Sequence, residues 1–174
     1  MKLEQRLQNI RLLLSDVDGV LTDGGIHLDN QGIESKTFHV RDGLGIKMWQ
    51  RAGHRFGIIT ARSSHLVKIR MNELGVDLVR QGTGNKREVG EKLLAESGLP
   101  TEQVCYIGDD LSDLGLLKYV GVAVAVADAA DEVRQVADLV TQQPGGRGAV
   151  RELIETILKA QQRWSELVET YDGH

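Results

Sequence analysis

Short apolar bursts separated by helical patterns constrain this chain more than any other feature. Residues 10–15 (IRLLLS), 55–60 (RFGIIT) and 104–108 (VCYIG) read as buried strands, and 76–79 and 121–126 as shorter ones. Between them lie amphipathic stretches at 44–52, at 64–74 with Gly75 as a stop, and at 85–97. The last has Asn85 as an N-cap, Gly98 after its final turn and Pro100 just beyond. Such alternation predicts an α/β fold, a Rossmann-like, mainly parallel sheet flanked by helices. Ligands bind such sheets beyond the carboxyl ends of the strands.

Those ends carry the chemistry. Asp16-Val17-Asp18-Gly19 follows the first strand and Thr60-Ala61-Arg62 the second. Lys86 opens a helix, and Asp109, Asp110 and Asp113 follow the third strand. Asp16 and Asp109, from different strands, can share a hard divalent cation such as Mg²⁺, which takes oxygen ligands. The cation offsets the repulsion between the carboxylates, so Asp16 can stay ionised and attack phosphorus. Lys86 adds counter-charge for a phosphate dianion, and Thr60 and backbone N–H groups add donors. Asp18, two residues on, can reach a leaving-group oxygen, protonate it and later activate water. Gly19 permits an unusual turn or close backbone approach.

Two segments break the alternation. Residues 25–38 read as two short strands around the turn Asp29-Asn30-Gln31-Gly32. A lone hairpin is marginally stable, so it must pack on its own domain or on another subunit. Residues 144–148 (PGGRG) read as a flexible linker. A helical stripe of Val150, Leu153, Ile154, Ile157 and Leu158 follows, and 144–174 forms a linker and C-terminal helix or tail.

With 174 residues the chain suits one domain spanning 1–174. A net charge of −4 argues against nucleic-acid binding, which needs a basic face, but leaves room for a small anionic substrate. The single cysteine, Cys105, lies in an apolar run and reads as a buried hydrophobe. No intramolecular disulfide can form, the N-terminus lacks a signal-peptide pattern, and no run is long enough to span a membrane. Together these predict a cytoplasmic protein.

In order and spacing, DVDGVLTDG, IITAR, GNKRE and GDDLSD resemble the four motifs of the haloacid dehalogenase superfamily of phosphatases. The resemblance implies an aspartyl-phosphate on Asp16, acid/base duty for Asp18, and Mg²⁺ held by Asp16, the Asp18 carbonyl and Asp109. It implies phosphate contacts from Thr60, Ala61 and Lys86, with Asp110 and Asp113 supporting. More narrowly, the hairpin together with HVRDGLG, ITARSS, QGTGNK, VAVADA and GGRGAVRE looks like the 3-deoxy-D-manno-octulosonate 8-phosphate (KDO 8-phosphate) phosphatase family. That family is capless and tetrameric, with neighbouring subunits closing each site, and it serves lipopolysaccharide biosynthesis. The resemblance implies His39, Val40, Arg41, Asp42 and Gly43 as sugar-binding positions supplied by an adjacent subunit. It implies Lys47, Arg62 and Arg70 as anion and sugar contacts, and Arg147 as part of a tail reaching toward a neighbouring site. Lys47 stands where Arg is common, and Ala61 where Gly is usual.

A receiver-type signalling module also gathers acidic residues, a Thr and a Lys, but its acidic pair follows the first strand and its phospho-acceptor a later one. A non-catalytic partner would not need Asp16, Asp18, Thr60, Lys86 and Asp109 all intact. Related phosphatases act on nine-carbon, sialic-acid-like sugars and tend to carry an acidic residue where this chain has Arg62, which favours the eight-carbon substrate.

Overall fold

The computed structural model describes residues 1–172. Helix α1 (Leu3–Gln8) leads into strand β1 (Leu12–Ser15). A two-stranded hairpin follows, β2 (His27–Leu28) and β3 (Glu34–Ser35), then α2 (Val40–Arg51), β4 (Arg55–Ile59), α3 (His65–Leu74) and β5 (Leu78–Arg80). The second half runs α4 (Lys86–Ser97), β6 (Val104–Gly108), α5 (Leu114–Leu117), β7 (Val122–Ala125), α6 (Asp131–Val136), β8 (Leu139–Val140), α7 (Ala149–Ala160) and α8 (Trp164–Asp172).

Six strands form one sheet in the order β5-β4-β1-β6-β7-β8, and every pairing in it is parallel. β1 lies between β4 and β6, so Leu12, Leu13 and Leu14 are fully buried, as a strand covered on both faces requires. Helices α1, α2, α3 and α7 pack together as one layer, and α4, α5 and α6 as the other. The hairpin forms a separate two-stranded antiparallel sheet.

From β1 the chain first builds outward through β4 to β5, then returns to lay β6 on the opposite side of β1. The order therefore reverses between β1 and β6, where a ligand crevice is expected. Ser15 lies level with Ile107 in the parallel register, and the Asp16 N–H donates to the Ile107 carbonyl at 3.0 Å. Asp16 and Asp109 thus emerge side by side.

Local chemistry explains most boundaries. Asn85 accepts from the Glu88 N–H and caps α4, while Gly75 (φ +68°) and Gly98 (φ +69°) end α3 and α4 in the left-handed conformation. The stripe Val150, Leu153, Ile154, Ile157 and Leu158 is buried on α7. Other boundaries depart from the sequence reading. α2 begins at Val40, four residues early, because the His39 ring accepts from the Arg41 N–H as a cap and carries the helix through Gly43 and Gly45. β5 sits two residues beyond the predicted start of its strand, and the short β8 and α6 carry too few residues for a clear period.

The largest difference is at 144–148. The expected loose linker is a packed segment. The Gly146 N–H donates to the Val20 carbonyl at 2.9 Å, and the Gly145 N–H to Asp128 at 2.9 Å. A side chain on Gly145 would lie 1.8 Å from the Gly19 carbonyl oxygen. The glycines permit close approach here and do not confer slack.

Candidate active site

Asp16 is buried at the end of β1. Its Oδ1 accepts from the Val17 N–H at 2.7 Å, and its Oδ2 meets Lys86 Nζ at 2.6 Å. After it the chain folds tightly. The N–H groups of Val20, Leu21 and Thr22 all converge on the Val17 carbonyl. Gly19 sits at φ +89°, and a Cβ there would fall 2.0 Å from Asp109 Oδ2. Both the backbone conformation and the closeness of Asp109 therefore demand glycine.

Lys86 is the first residue of α4, and its buried ammonium also contacts Asp113 Oδ1 at 2.6 Å. Asp113 is 0% exposed and saturated. Its Oδ1 also accepts from the Tyr106 hydroxyl at 2.5 Å, and its Oδ2 accepts from the N–H groups of Asp109 (3.0 Å) and Asp110 (3.2 Å). Asp113 therefore shapes the turn after β6 and holds Lys86 toward Asp16. Asp110 caps that turn through the Leu111 N–H.

The electrostatics call for a cation. Asp16, Asp109 and Asp113 each offer an oxygen within 4.8 Å of the others. Burial pushes the Asp16 carboxyl up to about 6, with Asp113 adding to the rise and Lys86 opposing it. Burial, then Asp16 and Asp113, push Asp109 up to about 8. Burial alone would lower the Lys86 pKa, but Asp16 and Asp113 outweigh it and hold the ammonium above its ordinary value. Among the described residues Asp109 Oδ1 is buried without a hydrogen-bond partner. An unpartnered buried carboxylate oxygen beside a second carboxylate fits a hard divalent ion such as Mg²⁺, which takes oxygen ligands.

Thr60 follows β4 and is buried. Its N–H donates to the Arg80 carbonyl at 2.9 Å, and its carbonyl accepts from the Thr83 N–H and hydroxyl, each at 3.2 Å. In the β1–β4 register it lies one residue beyond the level of Asp16, and Ala61 after it is exposed. Asp18 turns toward the hairpin, paired with Lys36 and 4.0 Å from Arg62 Nε. Arg62 also pairs with Glu34 at 2.7 Å.

The remaining expected contacts form other groups. His39, Asp42, Gly43 and Arg70 gather around Phe38, where α2 begins, and Arg70 also pairs with Glu73. Asp42 is 1% exposed, and its Oδ1 accepts from the Arg151 N–H at 2.8 Å, so within the subunit it caps α7 and presents no free face to a sugar. Val40 projects outward at 78% exposure. Arg41 and Arg147 line a surface cavity of about 610 Å³ with Gln142, Arg151 and Glu152, apart from the carboxylate cluster. Lys47 is not brought to the cluster either. With α2 starting at Val40, it lies two turns along the helix, and its ammonium sits by Gly75 at the carboxyl end of α3.

Sequence reasoning missed Lys36, Glu34, Tyr106 and Gly145. Glu34 and Lys36 are two apart at a strand end and share a face, which is the one signal that could have flagged them.

Residues 77–153 match the family model described as haloacid dehalogenase-like hydrolase. The 3-deoxy-D-manno-octulosonate 8-phosphate phosphatase KdsC of Haemophilus influenzae is 41% identical over 98% of this chain and 94% of its own length. That of Yersinia pestis is 47% identical over 91% and 85%. Among solved structures, the Moraxella catarrhalis phosphatase of the same name, in complex with magnesium ion, phosphate ion and KDO, superposes with a TM-score of 0.95. It is 39% identical, with 97% of each chain covered. The Yersinia pestis structure gives a TM-score of 0.91 at 46% identity, covering 93% of this chain and 88% of that one. With this fold, these strand-end groups and this depth of identity, the chain belongs to the 3-deoxy-D-manno-octulosonate 8-phosphate phosphatase family of haloacid dehalogenase-like hydrolases.

Proposed function

We propose that the chain hydrolyses 3-deoxy-D-manno-octulosonate 8-phosphate to the free sugar acid and inorganic phosphate, in the cytoplasm and in service of lipopolysaccharide synthesis. The observation that carries this reading is Asp16 set between Lys86 and Asp109 at the β1/β6 crevice, in a chain so similar to phosphatases of that name.

Asp16 Oδ attacks phosphorus and displaces the sugar oxygen, so a P–O bond forms on Asp16 as the bond to the sugar breaks. Asp18 gives its proton to the departing sugar oxygen. Asp18 then takes a proton from water as the water oxygen attacks phosphorus and the P–O bond to Asp16 breaks, which releases phosphate, frees Asp16 as a carboxylate and returns Asp18 to its protonated form. Lys86 holds charge against the phosphoryl oxygens, and Thr60 with the turn N–H groups donates to them. Asp113 keeps Lys86 in place. Asp16, Asp109 and the Asp18 carbonyl would hold Mg²⁺, which supplies positive charge to the phosphoryl group and to the nucleophile. Ala61 adds its backbone to the phosphate side, and Arg62 and Arg70 serve the sugar acid's carboxylate and hydroxyls.

The subunit assembles as a homotetramer in which neighbours complete each site. Ile26, Leu28 and Ile33 on the hairpin are exposed apolar residues with no role in a solitary subunit, which supports this reading. His39, Val40, Arg41 and Arg147 then serve an adjacent site across that interface. Initial rates on eight- and nine-carbon sugar phosphates with Mg²⁺ test the substrate. The reading requires the highest kcat/KM on the eight-carbon ester, and a clear preference for a nine-carbon ester would overturn it.

A further inference from the structure

The side chain of Lys36, just past β3, is only 1% exposed although the hairpin around it is mostly exposed. A buried ammonium must be paired, and the structure gives it two carboxylates. It donates to Asp18 Oδ1 and lies 3.5 Å from Glu34 Oε1. Glu34 is itself fixed, accepting from Arg62 at 2.7 Å and from the Ser64 hydroxyl at 3.1 Å. Among the described residues Lys36 is the one hydrogen-bond donor to the Asp18 carboxylate, and no backbone N–H holds it. Asp18 immediately precedes Gly19, which sits at φ +89° in the turn after Asp16.

We propose that Lys36 is a positioning residue for Asp18. It anchors Oδ1, leaving Oδ2 as the oxygen that exchanges a proton with the leaving group and with water. Glu34, Arg62 and Ser64 hold Lys36 in turn, so the hairpin and the loop after β4 together aim the acid. This rests on Asp18 being the proton donor of the reaction proposed above. It gives the hairpin a function inside its own subunit, separate from any contact between subunits.

Leaving-group dependence tests it. A sugar alkoxide needs protonation to depart, whereas p-nitrophenolate does not, and kcat/KM reports the step in which either leaves. Misaiming an acid worth 10²–10⁴-fold should lower kcat/KM of Lys36→Met about 10- to 100-fold on the sugar phosphate but less than about 3-fold on p-nitrophenyl phosphate. Lys36→Arg, which retains a donor of the same charge, should recover most of the loss. Equal losses on both substrates, or no loss on the sugar phosphate, would overturn the proposal, as would an Arg variant no better than Met. Asp18→Asn is run in parallel. If it lacks the selective loss, the assignment of Asp18 as proton donor fails and takes this inference with it. If Asp18→Asn is selective and Lys36→Met is not, only the role of Lys36 fails. Thermal melting of each variant separates misfolding from misaiming, because a partly unfolded population loses both substrates in proportion.

Discussion

Lys86 stands between Asp16 and Asp113 because neither carboxylate could be buried there without it. Its charge leaves Asp109 uncompensated, with consequences for pH. Burial pushes the Asp16 and Asp109 carboxyls up, to about 6 and about 8, from the ordinary 3.8. The native state then holds more protons than the unfolded one, so metal-free stability falls as pH rises from about 4 to about 8 and then levels off. Magnesium removes that penalty. The Mg²⁺-induced rise in melting temperature should therefore be larger at alkaline pH than at acid pH, and a scan of melting temperature with and without Mg²⁺ checks it. Tyr106 offers a second prediction. Tyr106→Phe deletes the hydroxyl bond to Asp113 and should cost about 1 kcal/mol of stability by denaturant titration, with kcat reduced as Lys86 loosens. At this scale the meeting of Asp16, Asp109 and Lys86 at one crevice was legible, because strand ends of a parallel sheet are where polar residues meet ligands. Lys36 and Tyr106 were not. Nothing in a sequence shows that a hairpin lysine is buried, or which partner a strand tyrosine finds inside the core.

The sheet and the longer helices followed from their patterns, since buried runs and a 3.6-residue period survive tertiary context. What context decided was how the connections pack. PGGRG has the composition of a free linker, yet it lies against the turn that carries Asp18 and Gly19. Gly145→Ala forces a methyl against the Gly19 carbonyl. It should destabilise by about 1–3 kcal/mol through overpacking. Displacing the turn should also lower kcat by at least about 10-fold, more than stability loss explains in a protein that remains folded. Circular dichroism and initial rates on the same preparation check both. The early start of α2 came from a histidine cap, a weak signal beside two helix-disfavouring glycines. That start decides the roles of Asp42 and Lys47, placing one beneath α7 and the other away from the cluster.

Across the whole molecule, chain order does the main work. Building β4 and β5 on one side of β1 and β6 on the other puts two carboxylates from distant segments at one crevice. The hairpin extends from the same end and reaches back through Lys36, yet leaves Ile26, Leu28 and Ile33 exposed. Light scattering should give a tetramer, and Ile33→Asp should shift it toward smaller species. A wild-type monomer would contradict the assembly. Among the described residues no helix is long and apolar enough to cross a membrane. The expectation of a tetramer came only through family resemblance, because one chain's pattern does not reveal its symmetry. The central claim is that Asp16 receives the phosphoryl group of the eight-carbon sugar acid. It is tested most directly by phosphate release from 3-deoxy-D-manno-octulosonate 8-phosphate with Mg²⁺, comparing the native protein with Asp16→Asn. The account predicts sustained turnover by the native protein and none by a variant that melts as a folded protein. Turnover by Asp16→Asn at the native rate would contradict it.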